Sequence, residues 1–442
     1  MSSSISREFH FGSLLRFALP TIVMMIFMSL YTIVDGFFVA HFLGTAALSS
    51  INIVWPLLNV VVAVAIMLSA GGSAIVARKM GEGNLPEARR DFTLIALAAL
   101  CAGIVIAAFG FVFLEPIIRF FGAEGALLPF CRDYLGTLIL FAPINILQMF
   151  FQFFFITAGR PHIGLALTVG SGVVNAVLDY ILIVPAGLGI RGAALATAAG
   201  FTVPAVFGLI YFLSKRNELH FTRPKMDRHV LVQACFNGSS EMVVNLSNGV
   251  TTLLFNLILL RLAGADGVAA ITIIMYVQFL FLGLFQGFSD GIAPVVSYNY
   301  GSRNTAQLRR IFKIAIGFLG VSSIVLVGLA ELAHVPLISI FAPAGSAAHV
   351  LARSGFVLYA INFVFAGFNI FCSALFTALG NGRVSAIISF LRTFVFLVSG
   401  LLLLPYLAGV TGVWLAVPIA ELLTLFFSAA FFLWGRREYR YA

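Results

Sequence analysis

Six charged side chains fall well inside apolar stretches of this chain: Asp35, Asp179, Glu241, Asp290, Arg392 and Glu421. A charge at mid-membrane depth costs from about 2.5 kcal/mol upward, so each requires a partner or a task. Depth sorts them. Asp35 and Asp179 each stand about five residues before the far end of their stretch, and at 1.5 Å rise per residue they share one level. Tyr31 lies one helical turn below Asp35, and Asn175 one turn below Asp179, so each acid has a polar neighbour on its own face. Two carboxylates in a partly dry pocket cannot both ionise cheaply, so one holds a proton near neutrality. A proton-coupled site needs that behaviour. The competing reading is a hydrogen-bonded pair that only fixes helix packing.

Glu241, Asp290 and Arg392 lie nearer the opposite ends of their stretches and are expected to form a second polar cluster, in the C-terminal half. Arg392 would neutralise one or both acids, either as a working site or as a static brace. Glu421 reads as a brace or a partner for Arg392. Pro20 removes a backbone bond and should bend the helix that carries Asp35, as a moving part or a fixed kink. The phenylalanines of the 150–155 run either line a greasy cavity or simply face lipid or pack between helices. No residue set suggests catalysis or a metal: Cys101, Cys131, Cys235 and Cys372 are scattered without a CxxC pair. No GxxxxGK[ST] occurs, so ATP is not the expected energy source and no cofactor is implied.

The elements that carry these groups follow from composition. Of 442 residues 61% are hydrophobic and 10% charged, against about 25% charged in a typical soluble domain. That excludes a soluble enzyme, a disordered chain and a single-pass receptor. Hydropathy places spans near residues 16–40, 47–77, 91–114, 127–157, 162–184 and 191–213, then 230–262, 267–298, 311–331, 350–379, 384–405 and 412–434. An unpaired backbone group in lipid costs several kcal/mol, so these spans should be helices. The expected organisation is an N-terminal six-helix lobe (1–213), a basic connector (214–230) and a C-terminal six-helix lobe (231–442). No cleavable signal is expected ahead of the first span.

Charge orients the bundle. Of the 26 Lys and Arg, all but Arg119, Arg132, Arg191, Arg261, Arg353 and Arg392 fall on the side of the two termini. Both termini are therefore expected in the cytoplasm. The net charge of +9 then reports topology, and no nucleic-acid partner is expected.

The chain also repeats at a spacing of 220. Gly44-Thr45 meets Gly264-Ala265, and Arg89-Arg90-Asp91-Phe92 meets Arg309-Arg310-Ile311-Phe312. Pro116 meets Pro336, Thr157-Ala158 meets Thr377-Ala378, and Gly189 and Gly192 meet Gly409 and Gly412. Six spans per half give parallel repeats related by an axis along the membrane normal. None of the six intramembrane charges is repeated: their counterparts are Phe255, Ser399, Thr21, Ala70, Gly172 and Phe201. The scaffold is duplicated; the chemistry is not.

Pro20 with Asp35 in span 1, Asn175-x-x-x-Asp179 in span 5 and Thr197 in span 6, set in this duplicated bundle, resemble the MATE family of multidrug and toxic compound extrusion antiporters. The stretch Ser289-Asp290-Gly291-Ile292-Ala293-Pro294 through Ser297-Tyr298-Asn299-Tyr300-Gly301 resembles its DinF- and MepA-like branch. The resemblance covers nearly the whole chain. It implies an all-α polytopic fold of twelve helices and cation coupling at Asp35 and Asp179, with Tyr31, Asn175 and Thr197 around them. Members resembling NorM carry acids in spans 7 and 10, where this chain offers Asn248 and Asn369.

The expected activity is export of amphipathic, cationic small molecules across a bacterial-type inner membrane, driven by inward H⁺ or Na⁺, by a monomer in the lipid bilayer. The alternative is a lipid-linked precursor flippase, which would line its cleft with basic residues to hold a pyrophosphate. A membrane-embedded aspartyl protease is disfavoured, because GxGD is absent.

Overall fold

Apolar runs of this length satisfy their backbone groups internally only as helices, and the computed structural model has that form. It describes residues 5–125 and 127–442. Residues 1–4, where the expected first lobe begins, and Ala126 lie outside the described residues. Among those described there are twelve long helical spans and no strand. Spans 1 to 3 are Phe11–Leu43, Thr45–Gly81 and Leu85–Val112. Span 4 is the pair Leu127–Leu140 and Ala142–Thr157, bent by 55°. Spans 5 and 6 are Pro161–Ile183 and Gly189–Leu213. Spans 7 and 8 run together through Arg228–Gly301, span 9 is Thr305–Phe341 and span 10 is Ala347–Ala378. Spans 11 and 12 share Gly382–Tyr439.

Two glycines divide the longest helices. Gly264 (φ 65°, ψ −154°) separates span 7 from span 8, and Gly409 (φ 56°, ψ −134°) separates span 11 from span 12. Their counterparts in the first half, Gly44 and Gly189, have φ of 84° and 56°. Side chains with a Cβ are penalised in that region, so the glycine repeat in the sequence is a repeat of turn geometry. The bend of span 4 at Phe141 is likewise matched in span 10 by a 3₁₀ turn at Ala360–Asn362.

The chain packs as two units. One holds residues 5–7 and Leu30–Leu246, the other Glu8–Ser29 and Ser247–Ala442. The first halves of spans 1 and 7 thus each pack with the opposite half of the sequence. Glycine permits it. A Cβ on Gly238 of span 7 would lie 1.9 Å from the Met67 carbonyl oxygen, and one on Gly71 would lie 2.0 Å from that of Ala234. In the second unit, a Cβ on Gly287 would lie 2.6 Å from Ile22 Cα. Gly71 has Gly291 as its counterpart at the repeat spacing, and Gly291 packs on Ala18 and Thr21. Helices held this closely are paired by backbone contact, as small residues allow in membranes.

Each unit is also closed by an aromatic cap, and the caps repeat. In the first, Phe92 stacks among Phe150, Phe154, Phe212 and Phe221, and Arg89 Nε donates to the Glu218 carbonyl at 2.8 Å. In the second, Phe312 meets Phe432 and Tyr441, and Arg309 Nε donates to the Arg440 carbonyl at 3.3 Å. Phe92, Phe212, Phe221 and Arg89 are the counterparts of Phe312, Phe432, Tyr441 and Arg309, so the repeat extends to Tyr441. Phe150, Phe151, Phe154 and Phe155 are fully buried, which assigns these four to packing and not to a cavity wall.

Tyr441 is fully buried and donates its hydroxyl to the Phe432 carbonyl at 2.9 Å. Replacing a buried aromatic by Ala typically costs about 3–5 kcal/mol. Tyr441→Ala should therefore lower the thermal midpoint of the purified protein by several degrees. An unchanged midpoint would mean the cap contributes nothing.

Candidate functional site

The first unit gathers the acids of spans 1 and 5. Span 5 is a regular helix whose buried face includes Gly172, Asn175 and Asp179, at helical spacing. Span 1 is continuous through Pro20, and its second half, which carries Tyr31 and Asp35, belongs to this unit. Asp35 and Asp179 lie within hydrogen-bonding reach of one another. Tyr31 stands in the field of both carboxylates. Asn175 Nδ2 donates to Thr197 Oγ1 at 3.4 Å, and Thr197 in turn donates to the Ala193 carbonyl at 3.0 Å. Span 6 can lie this close because Gly200 faces span 5: a Cβ there would be 3.3 Å from Asn175 Cβ, and Ser171 Oγ donates to the Gly200 carbonyl at 2.7 Å.

What this cluster leaves open matters as much as what it joins. Asp35 Oδ1, Asp179 Oδ1 and Asn175 Oδ1 are buried acceptors without a hydrogen-bond partner. A buried polar atom left unmatched costs about 1–3 kcal/mol, and three acceptors so left in one cluster favour a donor or a cation. The oxygens are hard ligands, suited to H⁺ or to a small hard cation. No group of three or more His, Cys, Asp or Glu forms a metal cage among the described residues.

Tyr134 of span 4 joins the site and was not singled out from the sequence. It is 3% exposed, lies within hydrogen-bonding reach of Thr197, and stands in the field of both acids. Only its neighbours mark it: Cys131, Leu135 and Leu138 share its buried face. A tyrosine in an apolar run carries no signal until the fold brings it near carboxylates.

The second unit holds a different network. Arg392 lies in a π-helical segment, Leu391–Leu397, in span 11. Its Nε and Nη2 both bond Glu421 Oε1, at 2.7 and 2.6 Å. Glu421 Oε2 accepts from Asn369 Nδ2 at 2.7 Å, and Asn369 Oδ1 accepts from Ser428 Oγ at 2.8 Å. Asp290 accepts from Gln286 Nε2, one turn away on span 8, at 3.0 and 3.1 Å. Glu241 packs with the first unit. Of the three residues expected to form a C-terminal cluster, the structure places Arg392 against Glu421, Asp290 against Gln286, and Glu241 in the other unit. Pro20 packs with the second unit, where its neighbours Ala18, Thr21 and Ile22 meet Gly287 and Gly291 of span 8.

Comparison with known proteins bears on this arrangement. A model of the MatE family matches residues 20–181 and 242–402. The multidrug export protein MepA of Staphylococcus saprophyticus is 26% identical over 424 residues, 93% of this chain and 91% of that protein. The structure of a multidrug resistance MATE family transporter of the MOP superfamily, in an outward-facing conformation, is similar with a TM-score of 0.91 at 23% identity, over 99% of this chain and 97% of that one. A variant of the Vibrio cholerae MATE transporter VcmN is similar with a TM-score of 0.90 at 18% identity, over 96% of each chain.

Proposed function

The chain belongs to the MatE family, and we propose that it is a secondary active antiporter that exports amphipathic, cationic drugs or other toxic organic compounds in exchange for H⁺ or Na⁺. It works as a monomer in a bacterial-type inner membrane with both termini in the cytoplasm. The observation that carries this reading is the adjacency of Asp35 and Asp179 with Oδ1 of each unpartnered. Ionised, the pair attracts a cationic substrate; once it takes up H⁺ or Na⁺, that attraction is lost and the substrate leaves. Tyr31, Tyr134, Asn175 and Thr197 stand around the acids and offer further oxygens. The similarity to MepA, a multidrug export protein, supports the substrate class. A flippase for a pyrophosphate-linked lipid needs net positive charge to hold its cargo, whereas Arg392 is already neutralised by Glu421.

Expression in a cell lacking other drug pumps tests the reading. Resistance to amphipathic cationic dyes should rise several-fold. A proton ionophore that cancels the gain assigns H⁺; a sodium ionophore that does so assigns Na⁺. A gain surviving both together would exclude ion-coupled export.

A further inference from the structure

The last helices of the two halves end differently. Span 6 stops at Leu213, and Asn217 turns back so that its Nδ2 donates to the Tyr211 carbonyl at 2.6 Å. Its counterpart, span 12, continues as a helix to Tyr439. At the repeat spacing Arg436 matches Arg216, but Trp434 and Arg437 replace Ser214 and Asn217. Leu433, Trp434, Arg436 and Arg437 line an open concavity of about 750 Å³. All four are exposed, and spacings of three and four residues gather them on one side of the final turns. The wall is fixed from behind. The Trp434 ring packs 6.2 Å from that of Phe376 and 6.1 Å from that of Tyr439. Tyr439 accepts from Asn381 Nδ2 at 2.8 Å, and Asn381 caps the helix that begins span 11. Neither Arg436 nor Arg437 has a hydrogen-bond or ion-pair partner among the described residues. Deeper in the span the same side is apolar: Phe426, Leu433 and Arg437 recur at helical spacing, with Phe426 65% and Leu433 67% exposed.

One helix face thus passes from apolar to cationic, with a tryptophan at the change, as at a membrane–water boundary. We propose that this concavity binds an anionic phospholipid from the leaflet on the side of the C-terminus. Its phosphate sits between Arg436 and Arg437, whose planar forks match phosphate oxygens. Trp434 lies level with the glycerol, and the acyl chains run along Leu433 and Phe426. Continuity with the exposed apolar face favours a lipid over a soluble phosphate, which would leave that face unused. Two unpaired cations attract an anionic headgroup and repel the ammonium of a choline headgroup. Glu438, the nearest acid in sequence, does not line the concavity. Basic pockets beside membrane spans recognise anionic lipids on these terms. The site belongs to the second half alone and does not depend on what the chain exports.

Trp434 reports on its own lipid. The purified full chain is placed in phosphatidylcholine vesicles that contain increasing fractions of brominated phosphatidylglycerol or brominated phosphatidylcholine. Bromine quenches the tryptophans it touches, and the quenching that Trp434→Phe removes belongs to Trp434. Half-quenching of Trp434 should need a several-fold smaller fraction of phosphatidylglycerol than of phosphatidylcholine. Arg436→Gln combined with Arg437→Gln should make the two lipids equal. Lys215→Gln combined with Arg216→Gln removes the same charge at the end of span 6 and should leave the preference intact. Glycerol 3-phosphate, the headgroup chemistry without acyl chains, should not displace phosphatidylglycerol at millimolar concentration. Equal quenching in the parent, or a preference that survives loss of both Arg436 and Arg437, would overturn the site. So would an equal loss in the Lys215 and Arg216 variant, which would mean diffuse charge attraction, or displacement by glycerol 3-phosphate, which would mean an anion site without a lipid.

Discussion

Asp35→Asn and Asp179→Asn should each reduce gradient-driven export in proteoliposomes by about 10–100-fold. A hydrogen bond to a charged group contributes about 1.5–3 kcal/mol, and each 1.4 kcal/mol is about a factor of ten. Asparagine keeps the size of aspartate and can still bond its neighbour, so the helices should stay packed and the thermal midpoint should move little. What it cannot do is take up and release a proton. The pH dependence separates coupling from packing. Where coupling is by H⁺, the parent should hold a cationic dye well above neutrality and lose it as the pH falls and the pair is protonated. In either Asn variant one charge is already gone, so binding should be weaker at high pH and its dependence on pH flatter. Variants that export at the parent rate would reduce the acid pair to a packing device.

Breaking the Arg392–Glu421 pair from one side should have the largest effect on stability. Glu421→Leu leaves a guanidinium within span 11 with neither of its two short bonds, and leaves Asn369 Nδ2 without its side-chain acceptor at 2.7 Å. Removing one partner of a buried ion pair costs about 3–5 kcal/mol, whereas replacing both by apolar groups of similar volume is often close to neutral. Arg392→Met combined with Glu421→Leu should therefore recover most of what Glu421→Leu loses. Thermal unfolding of the two single variants, the double variant and the parent gives the coupling directly. If the double variant is as unstable as the sum of the singles, the two residues do not stabilise one another. Asn369 joins the network directly through its bond to Glu421 and also accepts the Ser428 hydroxyl, so Asn369→Leu should show part of the same loss.

Much of this could be read along the chain. Period and hydropathy locate helices; that the glycines matched at the repeat spacing are left-handed turns is a finding of the structure. The depth of Asp35 and Asp179, with Asn175 one turn below, placed the acid pair before any tertiary information. Helix geometry is regular, so spacing along one span translates into height and face.

The sequence by itself determined the twelve helical spans, the duplicated scaffold, and the level at which two acids stand. Those properties depend on local periodicity and on the cost of backbone polar groups in lipid. Only the tertiary structure decided which faces meet. It brought Tyr134 to the acids, paired Arg392 with Glu421, and set Glu241 in the first unit. It also assigned the first half of span 1 to the second unit and the first half of span 7 to the first, through backbone contacts at Gly238, Gly71 and Gly287. The reason is physical: a helix fixes where its own side chains point, but its neighbours are chosen by how closely two backbones can approach. That depends on small residues far apart in the chain, which hydropathy counts like any other.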